Sequence, residues 1–163
     1  MPTYTPIASQ TLTSASNTVT FGGIPQTYQD LIIICSTKLD GAGGDARLDI
    51  RVNGDSGSTY STTGFYGNGS NALSYRTTSG TELQVGRQSS TVWGNSIGHF
   101  QNYSNSTTYK TVLGRGNNAD ATVIATVSLW RNTNAITSIT IYPQAGTSNN
   151  FIAGSTFDLY GMS

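Results

Sequence analysis

His99, Cys35 and Glu82 are the only histidine, cysteine and glutamate in this chain of 163 residues, and their scarcity limits the chemistry it can perform. A hydrolytic triad needs a nucleophile, a histidine and an orienting acid. His99 would have to serve, yet it falls in Val92–Gln101, which reads as a strand and not as the strained turn of a nucleophile elbow. A metal site built from histidine or cysteine clusters is out of reach with one of each. A glycosidase needs two carboxylates across a cleft, and no spacing in the chain singles out a partner for Glu82. Asp40, Asp45, Asp49 and Asp55 offer oxygen atoms to calcium, but without the alternating Asp/Asn pattern and closing glutamate of a dedicated loop. Cys35 lies within Leu31-Ile-Ile-Ile-Cys35 and reads as a small buried hydrophobe. The residue types therefore point to a protein that is not an enzyme and carries no cofactor or metal.

The elements that would hold these residues are short and polar. Charged residues make up 10% of the chain, against about 25% in an average soluble domain. The formal net charge is +0, which leaves little repulsion between copies and favours association. The eight basic residues are scattered from Lys38 to Arg131, so no basic stripe is available for nucleic acid. The apolar run at Leu31–Cys35 is far short of the roughly 20 residues that a membrane helix requires. The opening Met1-Pro-Thr-Tyr has no charged and apolar leader pattern, so folding in a cytoplasm is expected.

No window shows a 3.6-residue period, whereas β-branched and aromatic residues punctuated by Gly and Asn favour strands throughout. Candidate strands are Tyr4–Leu12, Asn17–Phe21, Asp30–Thr37, Arg47–Val52, Glu82–Val85, Val92–Gln101, Thr107–Leu113, Ala121–Leu129, Ile136–Tyr142 and Ser155–Tyr160. These about ten strands predict an all-β fold, one antiparallel β-sandwich of jelly-roll type spanning residues 1–163. Within Ala121–Leu129, Val123, Ala125, Val127 and Leu129 alternate with Thr122, Thr126 and Ser128, which predicts a half-buried strand with Ile124 out of pattern. Leu48, Ile50 and Val52 alternate with Arg47, Asp49 and Arg51 in the same way. Leu31–Cys35 is apolar at every position and predicts a strand covered on both faces, with a neighbouring subunit on the outer one. Asn102–Ser106, Gly114–Asp120, Asn132–Asn134 and Gln144–Asn150 read as turns.

Asn53–Gly80 does not fit this pattern. Gly and polar residues there carry Tyr60, Phe65, Tyr66, Tyr75 and Arg76 without periodicity, which reads as a long loop. Tyrosine among Gly, Ser and Asn is also the composition of adaptable recognition surfaces. These five residues, with Trp93 and Trp130, are the candidate contact surface.

Two stretches carry a family resemblance. Phe21-Gly-Gly-Ile-Pro-Gln-Thr-Tyr-Gln-Asp-Leu-Ile-Ile-Ile34 and Gly154-Ser-Thr-Phe-Asp-Leu-Tyr-Gly-Met162 resemble segments of small β-rich structural proteins of tailed bacteriophages, and Phe100–Lys110 is similar as well. The resemblance implies a virion component without an active site, most readily a capsid decoration or cement protein that stabilises the phage head. It also implies self-association, with a homotrimer favoured, and contact with the major capsid protein. The alternative it leaves open is a receptor-binding or lectin-like tail fibre module that recognises bacterial surface glycans. Within the motifs, Pro25 fixes the turn before the strand, Tyr28 is positioned to cap the corner with its hydroxyl, and Phe157 and Leu159 alternate inward.

Overall fold

The computed structural model describes residues 3–41, 45–118, 120–144 and 149–163, and among these it contains strands and no helix. The twelve strands are β1 (Tyr4–Thr11), β2 (Val19–Gly22), β3 (Asp30–Thr37), β4 (Ala46–Val52), β5 (Tyr60–Gly67), β6 (Ala72–Gly80), β7 (Leu83–Gln88), β8 (Gly94–Gln101), β9 (Lys110–Asn118), β10 (Thr122–Trp130), β11 (Ser138–Pro143) and β12 (Thr156–Met162). They form an all-antiparallel sandwich of an eight-stranded sheet, in the order β1-β12-β3-β8-β9-β10-β5-β6, and a four-stranded sheet, in the order β2-β11-β4-β7. The core lies between the sheets. Leu31, Ile33 and Cys35 of β3, Leu48, Ile50 and Val52 of β4, and Phe157 and Leu159 of β12 are each at most 1% exposed. Burial pushes the Cys35 thiol up, well above its ordinary value, so it stays protonated and unreactive.

Two expectations fail locally for one physical reason. Gly114 and Gly116 do not open a turn; β9 runs through both, because they let two backbones meet. A Cβ on Gly114 would sit 2.7 Å from Val85 Cα and 2.3 Å from Thr126 Oγ1, and one on Gly116 would sit 2.9 Å from Gly86 Cα. Only glycine permits β7 to lie this close to β9. The approach then dictates what β10 turns inward. Thr126 Oγ1 donates to the Gln84 carbonyl at 2.8 Å, Ser128 Oγ donates to the same carbonyl at 3.2 Å, and Thr62 and Ser128 hydroxyls lie 2.8 Å apart. The edge backbone of β7 needs polar partners, and the hydroxyl face of β10 supplies them. Val123, Ala125, Val127 and Leu129 consequently face outward, the reverse of the expected burial, and Ile124 is buried. Gly114→Ala should cost about 1–3 kcal/mol through overpacking, read as a lowered urea midpoint. An unchanged midpoint would show that the seam is not tight.

Asn53–Gly80 also departs from expectation. After a short turn in which Asn53 and Gly54 take positive φ, it forms the hairpin β5–β6, paired from Gly67↔Ala72 to Tyr60↔Gly80. The turn is held by Asn68, whose Oδ1 accepts from the backbone N–H groups of Ser70 and Asn71 at 3.1 and 2.7 Å. The inward residues of β5 are Tyr60, Thr62 and Gly64, so size and polarity vary too much to show an apolar period. The expected corner cap is also reassigned. Tyr28 lies with its ring against Gly161, and it is Tyr103 whose hydroxyl donates to the Pro25 carbonyl. Of the expected Gln144–Asn150 turn, residues 145–148 fall outside the described residues.

Candidate interaction surface

The inversion of β10 places its apolar residues in line with those of four neighbours on the outer face of the larger sheet. Register fixes two rows. One runs Ile32, His99, Leu113, Val127 and Thr63 across β3, β8, β9, β10 and β5; the other runs Ile34, Ile97, Arg115, Ala125 and Phe65 across the same strands. Strands spaced by about 4.8 Å make this a platform roughly 20 Å wide. Phe65 is 65% exposed, Val123 61%, Val127 53% and Leu113 39%. The face is grooved. A depression of about 490 Å³ lies between β3, β9 and β10, lined by Tyr4, Ile32, Ile34, Ile97, Leu113 and Val127 among others. A second, of about 420 Å³, continues across β10 to Phe65 and Thr63. Tyr4 packs edge-on against Tyr160 at one side of the face, with ring centroids 6.3 Å apart.

Polar groups on this face are few and placed between apolar ones. His99 Nε2 lies 2.7 Å from Asp30 Oδ2, and Asp30 Oδ1 accepts from the Asn102 N–H at 2.8 Å, so both residues are committed to holding the start of β3 and the end of β8. Arg115 stands in the centre of the second row with no ion pair among the described residues.

The seven residues chosen from sequence are not one surface. Phe65 and Arg76 face outward, opposite Ser74 and Thr63 respectively, and extend the platform. Tyr66 and Tyr75 are half-buried on the other side of the hairpin: Arg87 stacks over the Tyr66 ring at 5.4 Å, and the Tyr75 hydroxyl donates to Gln84 Oε1 at 2.5 Å. Trp93 is 44% exposed but lies apart, against Gly154. Tyr60 and Trp130 are corrected outright, being 0% and 1% exposed. The Tyr60 hydroxyl donates to the Asp55 carbonyl at 2.8 Å, and Trp130 Nε1 donates to Asp55 Oδ2 at 2.7 Å. Both rings are core anchors whose polar ends find a partner at the sandwich rim. Sequence reading passed over Leu113, Ile97 and Ala125 as contact residues; the signal available for Ala125 was the apolar alternation of β10, assigned to the wrong face, and Leu113 and Ile97 join it only through strand register.

The reactive residues are each occupied. Glu82 accepts from Arg47 at 3.2 Å and lies 3.5 Å from Arg51, while Arg47 also pairs with the fully buried Asp49 at 3.0 Å. Asp40 is held by Asn150, Asp45 by Arg87 and Asp55 by Trp130 and Thr59. No three His, Cys, Asp or Glu side chains converge among the described residues. One pattern escaped the sequence reading: Gly94-Asn-Ser96-Ile-Gly98 has the G-x-S-x-G spacing of a nucleophile elbow. It lies within strand β8, not at a strand-to-helix turn, and Ser96 is 3% exposed, facing Gly86 and Gly116.

Burial raises the hydroxyls of Tyr60 and Tyr75 to about 12 each and displaces that of Tyr142 upward as well. In the unfolded chain these groups ionise near about 10. Between about pH 10 and pH 12 the folded state keeps protons that the unfolded state releases, so stability that is complete below pH 10 declines as pH rises through that window. The denaturant midpoint should therefore be lower at about pH 11.5 than at about pH 9, and at the higher pH unfolding should add tyrosinate absorbance. Equal midpoints at the two pH values would contradict the burial of these hydroxyls.

No family model matches the chain, and no curated protein matches it in sequence.

Proposed function

We propose that this chain is a non-enzymatic structural subunit of a phage virion, a decoration or cement protein of the head, and that it seats on neighbouring subunits through the outer face of its larger sheet. The observation that carries the reading is the orientation of β10: its apolar side faces outward beside Ile32, Ile34, Ile97, Leu113 and Phe65. Contiguous apolar surface of this extent on a soluble protein marks an interaction site. Support for a non-catalytic role comes from His99, Glu82 and Cys35, each engaged or buried in the framework. The placement in a virion rests on the likeness of Phe21–Ile34 and Gly154–Met162 to phage structural proteins.

We further read the framework as a jelly roll. Without β5, β6, β9 and β10, the sheets have the orders β1-β12-β3-β8 and β2-β11-β4-β7, the pairing of an eight-stranded double Greek key. The hairpin β5–β6 and the pair β9–β10 are then additions that widen one sheet, and they contribute much of the apolar face. Repetition of such a contact over a shell multiplies weak association into stable occupancy. The test is to add the purified protein to parent capsids lacking it. Cosedimentation with the capsids and greater heat resistance are expected; binding to host cell envelopes with no uptake by capsids would instead support the glycan-recognition alternative.

A further inference from the structure

Sheet edges offer unpaired N–H and C=O groups to any strand that can reach them, and natural proteins blunt them. Three of the four edges here are blunted. β1 carries Pro6 and a register shift beside it; β2 has four residues; β7 is bulged against β4, and its Gln84 carbonyl is capped by Thr126 and Ser128. The fourth edge, β6, has a register shift only at its far end, between Thr77 and Gly80, and is otherwise unblunted. It is nine residues long, lacks proline, and exposes all but two of its residues. Its pairing with β5 is regular from Ala72 to Thr77. The Tyr75 ring folds back over Gly64, 2.7–2.8 Å from where a Cβ would stand, and leaves the edge beside it clear.

We infer that β6 is a strand-pairing edge and that its occupant is β6 of a second copy, antiparallel about a two-fold axis normal to the sheet. Pairing with a blunted edge of another copy is closed off, so within this chain the edge has only itself, and an isologous contact stops at two subunits. Residues directly opposite must share a face, so the two-fold passes through a residue, and near the middle of the regular stretch Ala72–Thr77 that residue is Ser74, Tyr75 or Arg76. Centring on Ser74 sets each Arg76 opposite Ala72, whereas centring on Tyr75 gives it a hydroxyl partner. Centring on Arg76 opposes the two guanidiniums and is disfavoured. Centring on Tyr75 pairs the two tyrosines, sets Leu73 against Thr77, and places each Arg76 opposite Ser74 of the other copy. The zero net charge adds no long-range repulsion. The two eight-stranded sheets then join with both apolar outer faces on the same side, presenting a doubled platform. This dimer stands independently of the proposed function and differs from the trimer that the family resemblance implies.

Sedimentation equilibrium of the full chain tests it. Wild type should be a dimer at micromolar concentration. Ser74→Lys sets a lysine opposite Arg76 twice and should weaken the dimer about tenfold or more, while Ser74→Glu creates two opposite-charge pairs and should tighten it by a similar factor. Both substitutions fall on an exposed position, and the circular dichroism spectrum of each variant should be unchanged. A monomer at all concentrations, a trimer, or weakening by both Ser74 substitutions overturns the Tyr75-centred pairing. A dimer that ignores Ser74 and dissociates on Leu113→Asp and Val127→Asp also overturns it, while leaving the apolar face as the contact of the proposed function.

Discussion

Replacing Leu113 and Val127 together with aspartate is expected to abolish uptake by capsids while leaving the fold intact. The two residues are cross-strand neighbours at the centre of the outer face and are 39% and 53% exposed in the chain alone, so the substitution removes little intramolecular packing. Surface changes of this kind usually stay within about 0.5 kcal/mol of wild-type stability. At an interface the balance differs, because burial of each such side chain contributes about 1.5–3 kcal/mol and a buried, unpaired carboxylate adds a further penalty. The affinity for capsids should fall by at least about a hundredfold, measured by cosedimentation, with an unchanged circular dichroism spectrum. Normal occupancy by a folded double variant would remove the outer face from the account.

The largest effect on stability is expected from Trp130→Ala. Its ring is 1% exposed in the core and its Nε1 donates to Asp55. Truncation of a buried tryptophan costs about 3–5 kcal/mol, and here it also takes one hydrogen bond from the carboxylate that holds Thr59 and the Gly57 N–H. Burial works against ionisation of Asp55, but the bonds from Trp130, Gly57 and Thr59 outweigh it and hold the carboxyl below its ordinary value. Losing one of them moves the group back upward. Trp93→Ala, at a residue 44% exposed, should change stability by less than about 1 kcal/mol. Urea denaturation of the two variants separates them; similar midpoints would mean that Trp130 does not anchor the core.

The two tryptophans mark the limit of what the sequence discloses. Residue type identifies a large ring with a polar end, but burial depends on which strands meet, and that is a tertiary property. β3 is legible to its boundaries, Asp30–Thr37, because both of its faces are apolar and Asp30 and Thr37 bracket the run. The alternation of β10 is equally legible, but its inner face is decided by the proximity of the β7 backbone, which prefers Thr126 and Ser128 to valine. Gly114 and Gly116 look like turn formers for the same reason: alone, a glycine signals freedom, whereas here it signals a backbone only 2.7 Å from where its Cβ would be. The hairpin β5–β6 lacks an apolar period because its inner side is built from Tyr60, Thr62, Gly64, Tyr66 and Tyr75, which pack by size and hydrogen bonding. Part of the outer face is therefore legible as Leu31–Cys35 and Val123–Leu129, whereas the direction of the second segment and the places of Ile97, Leu113 and Phe65 beside it depend on how the strands pair.

An electron-microscopy map of the parent virion, with this chain fitted as a rigid sandwich, tests the proposed function most directly. The account predicts density for the chain on the head, with Leu113, Val127 and Phe65 covered at a boundary with neighbouring subunits. Density on a tail fibre, or on the head with that face open to solvent, would contradict it.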